Sequence, residues 1–258
     1  MQQARFNVNS SFNFTDKVAI VTGGSTGIGR ATAFLFAKHG ARVVIGDVNP
    51  EGRETVATIK RDGGDALFVE TDVREAEQVQ NLVIAAVKTY GGLHIAFNNA
   101  GILPAGALLA DLDDAAFDQV VAVDLKGVFL AMKYEIQHML KAGGGAIVNN
   151  ASIAGMIADP GISAYVAAKH AVIGLSKAAG IEYASQGIRI NALAPGLMET
   201  GMTRHWFEDD NIRARLLANS PIGRAAQPEE MADMVMCSLS GVSAIHDEHL
   251  PCGKGGCI

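Results

Sequence analysis

The feature that most limits what this chain can fold into is Thr22-Gly23-Gly24-Ser25-Thr26-Gly27-Ile28-Gly29, set between an apolar run and a helical repeat. Lys17 to Thr22 reads as a strand, because Val18 to Val21 is continuously apolar and of strand length. From Gly27 to His39 the apolar residues Ile28, Ala31, Phe34 and Leu35 recur at helical spacing, and Gly40 stops the helix. Arg42 to Asp47 then resumes as a strand. A glycine turn in this place suits a phosphate. Gly23 and Gly27 carry no Cβ, so the backbone can turn sharply and approach a pyrophosphate, while the helix start offers unpaired N–H groups and its positive dipole end. Gly29 allows the helix to pack closely on the strand.

Strand, G-x-x-x-G-x-G turn, helix and next strand together fit a dinucleotide fingerprint, with Ser25 and Ile28 inside the turn. Asp47 ends the second strand, 18 residues after Gly29, where a carboxylate can accept hydrogen bonds from a ribose. A 2′-phosphate there would meet like-charge repulsion, and neither Val48 nor Ser25 supplies a cation to offset it. NAD(H) is therefore expected rather than NADP(H).

Beyond this unit, short Val/Ile/Ala runs keep alternating with helical segments, the pattern of an α/β protein with a parallel sheet. Helices are expected near Glu51–Arg61, Glu75–Thr89, Asp114–Lys141, Ser163–Ser185 and Pro228–Leu239, and strands near Asp65–Val69, Leu93–Phe97, Ala146–Ala151 and Ile188–Leu193. No linker, repeat or low-complexity tract divides the 258 residues, so one domain over 17–258 is expected, after a flexible polar leader over 1–16. The Ala194 to Gly223 region, broken by Pro195, Gly196, Gly201 and Pro221, reads as an irregular insert carrying a substrate lid near 197–222.

Twenty-one basic against 27 acidic side chains give a charge of -6, which excludes a nucleic-acid partner bound through clustered cations. The longest apolar stretches are strand-sized, so no membrane segment is expected. Cys237, Cys252 and Cys257 are odd in number and form no C-x-x-C, which suits reduced thiols and a cytoplasmic location. His246, His249, Cys252 and Cys257 are ligand types in a short span, but their spacing matches no common zinc pattern, so no metal is expected.

Tyr165 and Lys169 stand four apart in an Ala-rich helical segment and so share one face, and Ser152 follows a strand end. A phenol ordinarily ionises near pH 10, and using it near neutrality costs about 3 to 4 kcal/mol. One cation at about 4 Å, in an effective dielectric of about 20, supplies near 4 kcal/mol. Lys169 could thus poise Tyr165 as an acid/base while Ser152 hydrogen-bonds the substrate oxygen.

With these residues in place, the stretch from about Lys17 to about Met236 resembles a classical short-chain dehydrogenase/reductase. The glycine loop, Asp72-Val73, Asn98-Asn99-Ala100-Gly101, the Ser152/Tyr165/Lys169 spacing, and Pro195-Gly196 followed by Thr200 carry the resemblance. It implies a single Rossmann-type domain with a doubly wound parallel sheet of about seven strands, hydride transfer between nicotinamide and a carbonyl or alcohol carbon, and a homotetramer or dimer. The implied cofactor-binding set adds Asp72, Val73, Asn99, Ala100, Gly101, Pro195, Gly196, Met198 and Thr200 to Gly23, Ser25, Gly27, Ile28, Gly29, Asp47, Val48, Tyr165 and Lys169.

Two departures stand out. Where the family has a catalytic Asn, this chain has Asp124, which cannot donate a hydrogen bond when ionised, pointing to a weakened or pH-shifted proton relay from Lys169. The family's tail pattern is replaced by residues His246 to Cys257, which bears on oligomer formation. The expected pocket residues, Leu103, Ala154, Ile157, Met202 and Trp206, are mostly apolar and suit a hydrophobic secondary alcohol or ketone. A 3-oxoacyl-carrier reductase, a sugar dehydrogenase and a catalytically impaired NAD-binding homologue remain as alternatives.

Overall fold

The structure is a computed structural model and describes residues 12–218, 220, 222–239 and 250–252. In chain order its elements are β1 (Val18–Thr22), α1 (Gly27–Lys38), β2 (Arg42–Asp47), α2 (Gly52–Arg61), β3 (Asp65–Glu70), α3 (Ala76–Tyr90) and β4 (Ile95–Asn98). The second half holds α4 (Asp114–Val120), α5 (Gly127–Ala142), β5 (Gly145–Asn150), α6 (Ser163–Tyr183), β6 (Ile188–Pro195), α7 (Asp210–Ala218), α8 (Pro228–Leu239) and β7 (Leu250–Cys252). The strands form one seven-stranded sheet in the order β3-β2-β1-β4-β5-β6-β7, each neighbour parallel. The chain reverses its direction of growth between β1 and β4, and ligands of such doubly wound sheets bind at the carboxyl ends of the strands there.

Every residue of β1 is buried, as befits a central strand covered on both faces. On one face Phe36 of α1 and Met231, Val235 and Met236 of α8 pack on Ala19, Val21 and Val43. On the other, Leu82 and Ala86 of α3, Met132 and Met139 of α5, and Val172 of α6 pack on Ile20, Val44 and Ile147. The parallel sheet expected from the alternation, and the Rossmann-type architecture implied by the resemblance, are present.

Several local expectations need correction. The single helix expected over Asp114–Lys141 is interrupted by a π-turn at Val121–Lys126, where the Gly127 N–H reaches the Ala122 carbonyl five residues back. The insert after β6 is not wholly irregular. It contains a 3₁₀ turn at Arg204–Phe207 and α7, whose side chains include none that is buried, so no apolar stripe announces it. The leader expected to be flexible up to Asp16 is already docked at Phe12: Phe14 is buried against Phe36, its N–H bonds the His39 carbonyl, and the Phe12 carbonyl bonds His39 Nδ1. Residues 1–11 and the tail's His246, His249 and Cys257 lie outside the described residues.

Candidate active site

The glycine loop leaves β1 at its carboxyl end. Gly23 and Gly27 have φ of +67° and +53°, a left-handed backbone that side chains resist. A Cβ on Gly29 would run into the Gly23 carbonyl and come within 2.6 Å of Asn99 Nδ2. Thr26, the residue before α1, makes no side-chain cap, and no acidic residue stands in the first turn. The start of α1 is thus a bare, glycine-walled cradle of N–H groups that suits a pyrophosphate.

Asp47 closes one side of that cradle. Its Oδ2 accepts the Ser25 N–H at 3.0 Å and its Oδ1 accepts the Asn49 N–H at 3.0 Å, so the carboxylate is fixed at the mouth of the loop. Ser25 Oγ is spent on the Asn49 carbonyl, while Val48 is exposed beside it. Asp72 is held differently from a free acceptor: Arg74 donates to both its oxygens and lowers its pKa, and Val73 packs against Gly127. On the opposite side Thr200 lies over the loop, 3.6 Å from where a Gly27 Cβ would be. Met198 turns its side chain into the core, and its carbonyl anchors Thr203 Oγ1 at 2.6 Å. Pro195 ends β6 and Gly196 follows it at the same rim of the sheet.

The segment after β4 is tied to the glycine loop. Asn99 Nδ2 donates to the Gly23 carbonyl at 3.0 Å, the Asn99 and Ala100 N–H groups donate to Thr22 Oγ1, and Asn150 Nδ2 donates to Asn99 Oδ1. Gly101 follows, and a Cβ there would sit 3.1 Å from Asp124 Oδ2 and 3.5 Å from Lys169 Nζ.

Lys169 Nζ lies 5.3 Å from the centre of the Tyr165 ring, donates to the Asn150 carbonyl at 3.0 Å, and meets Asp124 Oδ2 at 3.2 Å. Asp124 is fully buried, and its Oδ1 accepts the Ile102 N–H at 2.8 Å. Burial raises the Asp124 carboxyl above its usual range, against the opposing pull of Lys169 and the Ile102 N–H. Burial also works against the Lys169 ammonium, yet Asp124 and Tyr165 outweigh it and hold Lys169 above its usual value. Ser152 Oγ accepts the Ala154 N–H at 3.1 Å, which leaves its own O–H free to donate outward.

A shallow hollow, open to solvent, lies at Tyr165 and is lined by Leu103, Pro104, Ala105, Leu112, Gly161, Ile162, Ser163 and Ala164. Of the expected pocket residues only Leu103 is among them. Ala154 is buried in the turn after Ser152, Ile157 and Met202 are exposed, and Trp206 packs edge-on to His205.

The sequence reading missed a buried polar chain beneath this site. Asn98 Nδ2 donates to Glu135 Oε2 and to Asn149 Oδ1, each at 3.0 Å, and Asn149 Nδ2 donates to Ser176 Oγ at 2.9 Å. Amides inside otherwise apolar strands at Asn98 and Asn149 were the available signal. Burial pushes the Glu135 carboxyl from its usual 4.5 up to about 7, with the Asn98 hydrogen bond opposing. The folded state therefore keeps this proton where the unfolded chain has lost it, so stability falls as pH rises from 4.5 through about 7. Glu135→Gln, which still accepts from Asn98, should raise unfolding stability by about 3 kcal/mol at pH 8 and by far less at pH 4 in urea titrations.

A family model described as enoyl-(acyl carrier protein) reductase matches residues 23–249. Cyclohexanol dehydrogenase of Acinetobacter sp. (strain SE19) is 45% identical over 231 residues, 89% of this chain and 90% of that protein. The chain belongs to the classical short-chain dehydrogenase/reductase family. Cis-4-hydroxycyclohexanecarboxylate dehydrogenase of Sinomonas cyclohexanicum is also 45% identical, over 86% of this chain and 88% of that protein. The solved structure of levodione reductase superposes with a TM-score of 0.89 at 35% identity, covering 94% of this chain and 98% of that one. A family of oxidoreductases that use a nicotinamide dinucleotide agrees with the cradle at α1. Among the described residues no helix is long and apolar enough to cross a membrane, and no cluster of His, Cys, Asp or Glu is placed to hold a metal ion.

Proposed function

We propose that the protein is an NAD(H)-dependent dehydrogenase of hydrophobic cyclic secondary alcohols, interconverting them with their ketones. The observation that carries this reading is the placement of Tyr165 against the buried Lys169, 5.3 Å from ring centre to Nζ, beside a shallow hollow lined in part by the apolar Leu103, Leu112 and Ile162. The relatives named for cyclohexanol and hydroxycyclohexanecarboxylate support a ring-shaped substrate.

Gly23, Ser25, Gly27, Ile28 and Gly29 would hold the pyrophosphate of the dinucleotide, Asp47 its ribose, and Thr200 would close over the loop. NAD(H), when bound, accepts or supplies the hydride. Tyr165 takes the hydroxyl proton of the alcohol, or returns it to the ketone oxygen. Ser152, whose acceptor side is engaged by Ala154, donates to that same oxygen and orients the carbon. Lys169 holds the phenol through its ammonium. Residues 197–222 serve as the lid, anchored at its far end by paired Arg224–Glu230 bonds of 2.7 Å each. Exposed Phe129 and Leu140 on α5 and Ile181 on α6 support a homo-oligomer, tetramer or dimer.

Titrating the fluorescence of the single Trp, Trp206, should show NADH bound at least tenfold more tightly than NADPH, because Asp47 repels a 2′-phosphate. Tighter NADPH binding would overturn the cofactor assignment. A panel of cyclic, linear and sugar alcohols assayed with NAD+ then tests the substrate class: preference for a sugar or a carrier-bound 3-oxoacyl group would refute it.

A further inference from the structure

We propose that Asp124 is a positioning residue that sets the pH window of the reaction by cancelling the charge of Lys169. The proposal rests on the acid/base reading of Tyr165. Its basis is the ion pair itself. Asp124 and Lys169 are 0% and 3% exposed and lie 3.2 Å apart, and their other hydrogen bonds go to neutral backbone, the Ile102 N–H and the Asn150 carbonyl.

A lone buried ammonium 5.3 Å from the Tyr165 ring would act on the phenol as a bare positive charge. With a carboxylate at its side it acts as a dipole, whose field falls off faster with distance. Both groups are buried, so solvent screens the difference only weakly. The groups facing the pair are Tyr165 from α6, Asn150 from β5, and Gly101 and Ile102 from the segment after β4, so Tyr165 is the other ionisable group among them. Glu135, the other buried acid nearby in the chain, bonds Asn98 rather than either partner.

The π-turn brings Asp124 to this place, and the absent Cβ of Gly101 leaves room for both charged groups. Asn would fill the same volume without the charge. The effect has a direction. Alcohol oxidation needs the phenolate to receive the hydroxyl proton, so Asp124 confines it to the alkaline side. Ketone reduction needs the phenol, so Asp124 extends it upward in pH.

In Asp124→Asn the rising limb of kcat/KM for alcohol oxidation should move to lower pH by about one unit or more, and the falling limb for ketone reduction should move with it. The phenolate absorbance of the cofactor-free protein, taken as the difference from the same protein carrying Tyr165→Phe, should shift in the same direction. A residue that only braces the Ile102 loop would change rates without moving both limbs together. Limbs that stay in place, rise or separate would overturn the proposal. Should Asn not support folding, Asp124→Ser removes the same charge and reads the same limbs. Tyr165→Phe separates the two readings. If that variant turns over normally, the acid/base assignment fails; if it is inactive and the limbs of Asp124→Asn do not move, that assignment stands and the role of Asp124 falls.

Discussion

Tyr165→Phe should lower turnover with a cyclic alcohol at least 10³-fold, about 4 kcal/mol in the activation barrier, while leaving NADH affinity within about twofold. The substitution removes one hydroxyl and keeps the ring, so the wall of the hollow and the contact between the ring and Lys169 survive. Among the described residues, no hydrogen bond, ion pair or ring contact joins Tyr165 to the glycine cradle or to Asp47. The loss should therefore fall on kcat, with KM little altered, because an interaction made with a moving proton exists only in the transition state. Stopped-flow measurement of NADH formation checks it: a variant within tenfold of the parent rate would mean that another group carries the proton.

The second large effect is expected at the cradle. In Gly29→Ala the new methyl group would overlap the Gly23 carbonyl and crowd Asn99 Nδ2 at 2.6 Å, and neither can retreat cheaply. Gly23 is held by its N–H bond to the Gly46 carbonyl at 2.8 Å, and Asn99 is held by Thr22 and Asn150. The loop backbone must move instead, and the N–H groups at the start of α1 move with it. NADH affinity should fall by about 100-fold or more, roughly 3 kcal/mol, as read by fluorescence titration, with overcrowding removing a further 1 to 3 kcal/mol of unfolding stability. Near-parental affinity would show that the cradle does not bind the pyrophosphate.

What could be read from residues alone follows from how local each feature is. The glycine loop, Asp47 and the Tyr165/Lys169 pair are contiguous or sit one helical turn apart, so spacing conveys their geometry. The Asp124–Lys169 contact joins positions 45 apart, and the resemblance tied Asp124 only to the proton relay from Lys169, not to a direct ion pair with it. Glu135 was missed because a lone acid among Lys133, Tyr134 and Gln137 reads as a solvated helix face. Its burial depends on α5 crossing β4 at Asn98. α7 was missed for the opposite reason: without a buried side chain it has no periodic pattern to detect. Which residues line the hollow at Tyr165 was mostly not legible. Leu103 lies on the wall, whereas Ile157 and Met202 stand outside it, because loop paths decide which apolar side chains converge.

The π-turn between α4 and α5 inserts one residue beyond what a regular helix would need over the same rise. Each residue turns a helix by about 100°, so deleting one from Val121–Lys126 would restore an unbroken helix while rotating α4 relative to α5 by more than a quarter turn. Asp124 would leave its partners, and Val120, now fully buried against Ala164 and Ala168, would swing toward solvent. The surplus residue thus acts as a phase adjuster: it lets one continuous rod keep an apolar stripe in register with the sheet along α5 and still aim a single carboxylate sideways at its upper end. Length variation in this segment should accordingly be tolerated far less than in the loops on either side of it.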